Sequence, residues 1–217
     1  MDIFDAFREA ANPEKAAQMS SYMRDQFPFL GIQAPERKKL GRDILKALNK
    51  AAADWDFIFM CWEKPEREFQ YLAIDYLDRI KSTLTPDDIP NIRGLIIHKS
   101  WWDTVDGLDI LAGNITQRYP EVEKVMLEWS VDKNFWLRRA AIDHQLTRKD
   151  KTNTALLARI IENNLGSTEF FINKAIGWSL RDYSKVHPEW VREFIEKHRH
   201  ELAPLSIREA SKYITKR

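Results

Sequence analysis

The chain has 217 residues, with 34 lysines and arginines against 33 aspartates and glutamates, for a formal net charge of +1. That length is ample for one sizeable domain or two small ones without covalent staples, and the single cysteine, Cys61, excludes an internal disulfide. No run approaches the ~18 consecutive apolar residues that a membrane span needs, and the opening MDIFDAFREA lacks the basic start and apolar stretch of a signal peptide, so a cytoplasmic protein without membrane attachment is expected.

Seven glycines, no Asn-Gly turn and no strictly alternating segment point to an all-helical chain. Six of the nine prolines are followed at once by an acid: Pro13-Glu14, Pro35-Glu36, Pro65-Glu66, Pro86-Asp87, Pro120-Glu121 and Pro188-Glu189. Proline suits the first helical position, where its missing N–H costs nothing, and an acid in the first turn complements the helix dipole. Each pair therefore predicts a helix start.

In chain order, Asn12 is placed to cap the first of these helices, and Met19, Tyr22, Met23 and Phe27 fall on one stripe at helical spacing. Leu40, Ile44, Leu45 and Leu48 follow Pro35 in the same way. Cys61, between Met60 and Trp62, reads as a small buried hydrophobe. Phe69, Leu72, Ala73, Tyr76, Leu77 and Ile80 repeat the helical period after Pro65. The starts recur at spacings of roughly 20 to 35 residues, which suggests helix pairs stacked into a curved α-solenoid whose concave face binds a partner.

In HKSWWDTVD, Ser100 and Asp103 stand at capping-box spacing, with Asp in the place preferred by Glu, so a helix is expected to begin at Ser100. Trp101, Val105, Leu108 and Ala112 then form the buried stripe. Trp102 and Asp106, also four apart, share a neighbouring face. Two readings stand side by side: a half-packed indole beside a solvated carboxylate, or an aromatic plane and a carboxylate presented together to a ligand.

Further on, Phe135, Arg139, Ile142 and Leu146 share a stripe, which makes Arg139 a candidate for an arginine snorkelling from the core edge. Basic clusters occur at Arg37, Lys38, Lys39 and Arg42, at Arg138 and Arg139, at Arg148, Lys149 and Lys151, and in the tail that runs to Lys216 and Arg217. Each is either a solvated helix face or part of a polyanion surface. Eight tryptophans, with Trp136, Trp178 and Trp190 close to basic residues, fit a nucleic-acid surface or a core.

No Gly-x-Gly occurs, so nucleotide-binding fingerprints are absent, and His198 and His200, two apart on a helix, diverge. Neither a metal nor a cofactor is expected. No Gly-x-Ser-x-Gly elbow supports a serine hydrolase.

YMRDQFPFLGIQAPERKKL, KPEREFQYLAIDYL, KSWWDTVD, WLRRAAI, EFFINKAIGWSLRDYSK and LAPLSIREA, in this order along nearly the whole chain, resemble the AlkD-type alkylpurine DNA glycosylases, which are built from HEAT-like helical repeats. The resemblance implies a single HEAT-like domain over residues 1–217, a monomer, and double-stranded DNA containing alkylated purines as partner. It places the family's catalytic cluster on Trp102, Asp106 and Arg139, a further active-site tryptophan on Trp178, and a DNA-contacting tyrosine on Tyr22.

It also implies hydrolysis of the N-glycosidic bond of N3- and N7-alkylated purines, leaving an abasic site, without extruding the base into a pocket. Such a base is already cationic and leaves readily; the protein has to stabilise an oxocarbenium-like sugar and deliver water. Asp106 would face the developing charge, Trp102 and Trp178 would offer ring faces, and Arg139 would hold a nearby phosphate. Other classes remain open: a catalytically silent DNA-binding repeat protein, or a helical scaffold for protein partners.

Overall fold

A computed structural model describes residues 3–48 and 51–214, with the side chains of residues 43 and 44 left aside. Ile44 of the stripe after Pro35, and Lys216 and Arg217 of the basic tail, therefore lie outside the described residues. The described residues are helical with no strand, and they fall into two compact units that divide after Leu84. No helix among them is long and apolar enough to cross a membrane.

The first unit holds α1 (Ile3–Glu9), α2 (Pro13–Tyr22), α3 (Ala34–Ala47), α4 (Trp55–Glu63) and α5 (Arg67–Arg79). Asn12 caps α2 as its position predicts, its Oδ1 accepting from the Lys15 N–H at 3.0 Å. The stripe drawn through Met19 and Tyr22 is not a core stripe: α2 buries none of its residues, and Tyr22 is 72% exposed. The helix ends at Tyr22 and the chain turns through Arg24 and Asp25 at positive φ, so only Met23, just beyond the helix, goes inward. In α5 the expected stripe is buried throughout, and α5 packs on α4 and on α3. Cys61 is buried beside Trp62.

The second unit holds α6 (Ile89–Ile97), α7 (Trp102–Arg118), α8 (Glu123–Trp129), α9 (Phe135–Asp143), α10 (Thr154–Glu162), α11 (Phe170–Ser184), α12 (Pro188–Lys197) and α13 (Pro204–Ala210). Consecutive helices pair, α6 with α7, α8 with α9 and α11 with α12, while α7, α9, α11 and α13 stack one on the next as a layer. This is the stacked-pair pattern of a helical repeat.

Proline starts α2 and α12 at the first position and stands second in α3; Pro86 and Pro120 open 3₁₀ turns that run straight into α6 and α8. Pro65 lies two residues before α5, whose cap is Glu66. Pro204 opens α13 without a following acid, so the dipeptide rule missed it.

Two glycines set the spacing of the layer. A Cβ on Gly113 of α7 would meet the His144 carbonyl oxygen at 2.0 Å, and one on Gly177 of α11 would meet Glu209 Cβ of α13 at 2.6 Å. Both are helix–helix approaches that any larger residue would force apart.

Candidate active site

The N-terminal ends of α7, α9 and α11 meet in an aromatic cluster. The Trp101 ring lies 5.8 Å from Trp136 and 5.3 Å from Phe171, and Trp136 lies 4.8 Å from Phe171, within the range of favourable tilted and edge contacts. Trp101 is half-buried in this cluster rather than in the deep stripe, which is formed by Val105, Leu108 and Ala112. Ser100 is not a cap: its hydroxyl donates to the Ile96 carbonyl at 2.6 Å, and α7 starts at Trp102 without a side-chain cap. The hydroxyl closes the end of the preceding helix instead of opening the next.

One turn into α7 stands Asp106, its side chain 27% exposed, and one turn into α9 stands Arg139, 1% exposed. Arg139 donates from Nε to Asp106 Oδ1 at 2.8 Å and from Nη2 to Oδ2 at 2.9 Å, a bidentate pair, and from Nη1 to the Phe171 carbonyl at 2.8 Å. Its Nη2 also lies 3.7 Å from Asp143 Oδ2. The indole of Trp178 sits 5.3 Å from the guanidinium carbon. Trp102, half-buried, occupies the first position of α7, one turn before Asp106.

Two further acids lie beneath this pair, and periodicity passed over both. Asp109, one turn on from Asp106, and Asp143, one turn on from Arg139, are each 1% exposed, and one carboxylate oxygen from each of Asp106, Asp109 and Asp143 lies within 4.8 Å of the others. Asp143 Oδ1 is 3.2 Å from the Ser179 hydroxyl, which also bonds the Ile142 carbonyl at 2.7 Å. Both Asp109 oxygens are without a hydrogen-bond donor.

Burial raises all three carboxyl pKa values: that of Asp106, opposed by Arg139; that of Asp143, to about 7; and that of Asp109, well above the ordinary carboxylate range, with Asp143 and Asp106 adding to it. The Arg139 pKa is raised as well: its own desolvation would lower it, but Asp143, Asp106 and Asp109 together outweigh that and hold it firmly charged.

A second cationic group surrounds Trp178. Lys174 and Arg181 lie 5.6 and 5.8 Å from its ring. Both are tied to Glu209 of α13, Lys174 Nζ at 2.9 Å and Arg181 Nη1 at 2.7 Å, and Lys212 Nζ adds a third contact at 2.7 Å. Lys212 and Lys174 hold the Glu209 carboxyl down to about 2. Lys174, Trp178 and Arg181 stand at i, i+4 and i+7, so helical spacing alone places them on one face. Behind the site, buried His144 is kept neutral, its pKa lowered to about 3 by desolvation and by Arg148.

Tyr22 belongs to the first unit, where it lines a cleft of about 390 Å³ with Lys15, Met19, Phe29, Arg37 and Tyr71. Of the residues singled out in the sequence, Asp106, Arg139 and Trp178 are in mutual contact through the arginine.

The family model of the DNA alkylation repair enzymes matches residues 3–214. The chain belongs to this family. Membership makes DNA its partner and alkylation damage its concern. A solved structure described as a predicted DNA alkylation repair enzyme from Enterococcus faecalis is 38% identical and superposes with a TM-score of 0.88, covering 95% of this chain and 98% of that one. The structure of smu.31 from Streptococcus mutans (18% identity, TM-score 0.63, 82% of this chain and 92% of that one) shares the fold. So does AlkD2 from the same organism, at 19% identity and a TM-score of 0.63, covering 82% of this chain and 90% of that one. No protein with a curated description matches.

Proposed function

We propose that the protein is a monofunctional DNA glycosylase that hydrolyses the N-glycosidic bond of N3- and N7-alkylated purines in duplex DNA and leaves an abasic site. The observation that carries this reading is the Asp106–Arg139 pair: a carboxylate about a quarter exposed, held in one orientation by a guanidinium that is itself buried. A carboxylate fixed in advance, at the edge of solvent, suits the stabilisation of charge that develops on a sugar as a cationic base departs.

Asp106 faces the oxocarbenium-like sugar and orients the attacking water. Arg139 keeps Asp106 ionised and aimed. Expected from the family likeness as a phosphate ligand, it has its Nε, Nη1 and Nη2 engaged and almost no exposed surface, so the positioning role fits its surroundings better. Phosphate contacts fall instead to Lys174 and Arg181, which are partly exposed beside Trp178. Trp102 and Trp178 offer ring faces to the sugar and the cationic lesion, a contact of about 0.5–2 kcal/mol each when desolvated.

The lesion reacts without extrusion into a pocket, and the enzyme acts as a monomer without metal or cofactor. Selectivity then comes from the lability of the cationic base, so neutral lesions such as uracil are left intact. Tyr22 is a DNA contact from the first unit. Release of free N7-methylguanine from duplex DNA tests the reading; duplex binding without release, equal in wild type and Asp106→Asn, would instead mark a silent DNA-binding protein.

A further inference from the structure

The acid cluster contains three carboxylates and one guanidinium. Ionised together, they would leave two uncompensated negative charges, and two of the three groups are almost wholly removed from water. Buried carboxylates a few ångströms apart do not all stay charged; at least one takes a proton. Which one takes it follows from what each carboxylate accepts. Asp106 accepts two charge-assisted bonds from Arg139, and Asp143 has the Ser179 hydroxyl at 3.2 Å and Arg139 Nη2 at 3.7 Å. Asp109 has neither a donor on either oxygen nor an ion pair of its own.

The charged groups that bear on Asp109 are Asp106 from its own helix and Asp143 and Arg139 from α9, while α11 contributes the Ser179 hydroxyl, which meets Asp143, and the Phe171 carbonyl and Trp178 ring, which meet Arg139. The nearby Ile110 N–H, already committed to the helix ladder, does not reach hydrogen-bond geometry with either oxygen. A divalent ion does not resolve the imbalance. Arg139 Nη2, 2.8 Å from Asp106 Oδ1 and 3.7 Å from Asp143 Oδ2, already holds the place of the cation.

We propose that Asp109 is a neutral carboxylic acid at neutral pH, a positioning residue that carries the proton the cluster requires and so leaves Asp106 as the ionised member. As an acid, Asp109 has a donor to offer, and Asp143, whose Oδ2 has no hydrogen bond of its own and which brings a carboxylate oxygen within 4.8 Å of one of Asp109, is the neighbouring acceptor. The cluster then keeps Arg139 positive, Asp106 negative and a proton stored below them. The bearing of this on catalysis rests on the glycosylase reading; the protonation state itself does not, and it is measured without DNA.

The test is infrared spectroscopy of the whole protein at pH 8.5, where Asp143, at about 7, is ionised and a proton still on Asp109 is there at neutral pH as well, with ¹³C-labelled aspartate, in H₂O and D₂O, on wild type, Asp109→Asn and Asp143→Asn. The carbonyl stretch of a protonated carboxyl is expected in the wild type, shifted by deuterium and by the label. It should be lost in Asp109→Asn and retained in Asp143→Asn. Asparagine matches the shape and neutrality of the acid, and circular dichroism with a melting curve confirms that each variant is folded. Absence of the band in folded wild type, or its survival in Asp109→Asn, overturns the proposal. A normal band with no base release would leave the protonation intact and refute the glycosylase reading alone.

Discussion

Glu68 in the first unit and Asp109 in the second are both carboxylates with almost no exposed surface, and they are kept in opposite ways. Glu68 accepts three backbone N–H bonds, from Leu30 at 2.9 Å, Gly31 at 2.8 Å and Ile32 at 3.1 Å, and so ties the loop before α3 to α5. Asp109 accepts none. A satisfied buried charge is structural and replaces the hydration it lost with fixed donors. A buried acid without donors beside a bidentate ion pair marks a place where the fold tolerates electrostatic stress, and such places concentrate at functional sites.

The largest effect expected is that of Arg139→Met. It strips the guanidinium from three carboxylates and should cost about 3–5 kcal/mol of stability, as loss of one partner of a buried ion pair does. Base release should vanish with it. Urea denaturation alongside the release assay reads both. Retention of wild-type stability would mean that the acids are already neutral without the arginine.

Glu68→Gln sharpens the contrast from the other side. One of its oxygens becomes an amide that cannot accept, so at least one buried N–H is left unbonded, at a cost of about 1–3 kcal/mol. Base release per folded molecule should not change. A fall in activity at unchanged stability would contradict the division between a structural and a functional acid.

Trp178→Ala should lower base release by roughly 2- to 30-fold, the range that follows from a desolvated cation–ring contact. The smallest effect expected is on pH dependence. Asp143 ionises near 3.8 unfolded and about 7 folded, so in this window the folded state holds the extra proton and stability falls as pH rises. His144 acts in the opposite sense: its pKa drops from 6.5 to about 3 on folding, the unfolded chain holds the extra proton, and stability rises with pH. The two slopes oppose each other in wild type. Asp109 and Asp106, also raised by burial, add to the falling slope in both proteins; Asp143→Asn removes one falling contribution, so its denaturation midpoint should shift upward relative to wild type as pH rises from 4 to 7, by comparison of melts across that range.

Much of the helical frame was legible in the sequence, because its signals are local. Asn12 caps α2 through a bond that spans three residues, and proline before an acid marks helix starts through the chain's own dipole. Ser100 misled for a related reason: two local partners compete for one hydroxyl, and the carbonyl four residues back wins. Asp106 and Arg139 were named through family likeness, while spacing alone left each with an ordinary structural reading. The acids beneath them were missed because what distinguishes Asp109 is the lack of a donor, and that depends on residues some 30 positions away. Glu209 was missed likewise, since its partners Lys174 and Arg181 lie in a different helix.

In the proposed reaction Asp106 is the carboxylate that stabilises the departing sugar, and a single comparison tests that role most directly. Wild type and Asp106→Asn are incubated in single turnover with duplex DNA carrying N7-methylguanine, and the free base is quantified. Release by the wild type and a loss of about 10²- to 10³-fold in the variant, as for removal of a preorganised charge partner, is the expected result. No release by the wild type, or equal release by both proteins, would contradict it.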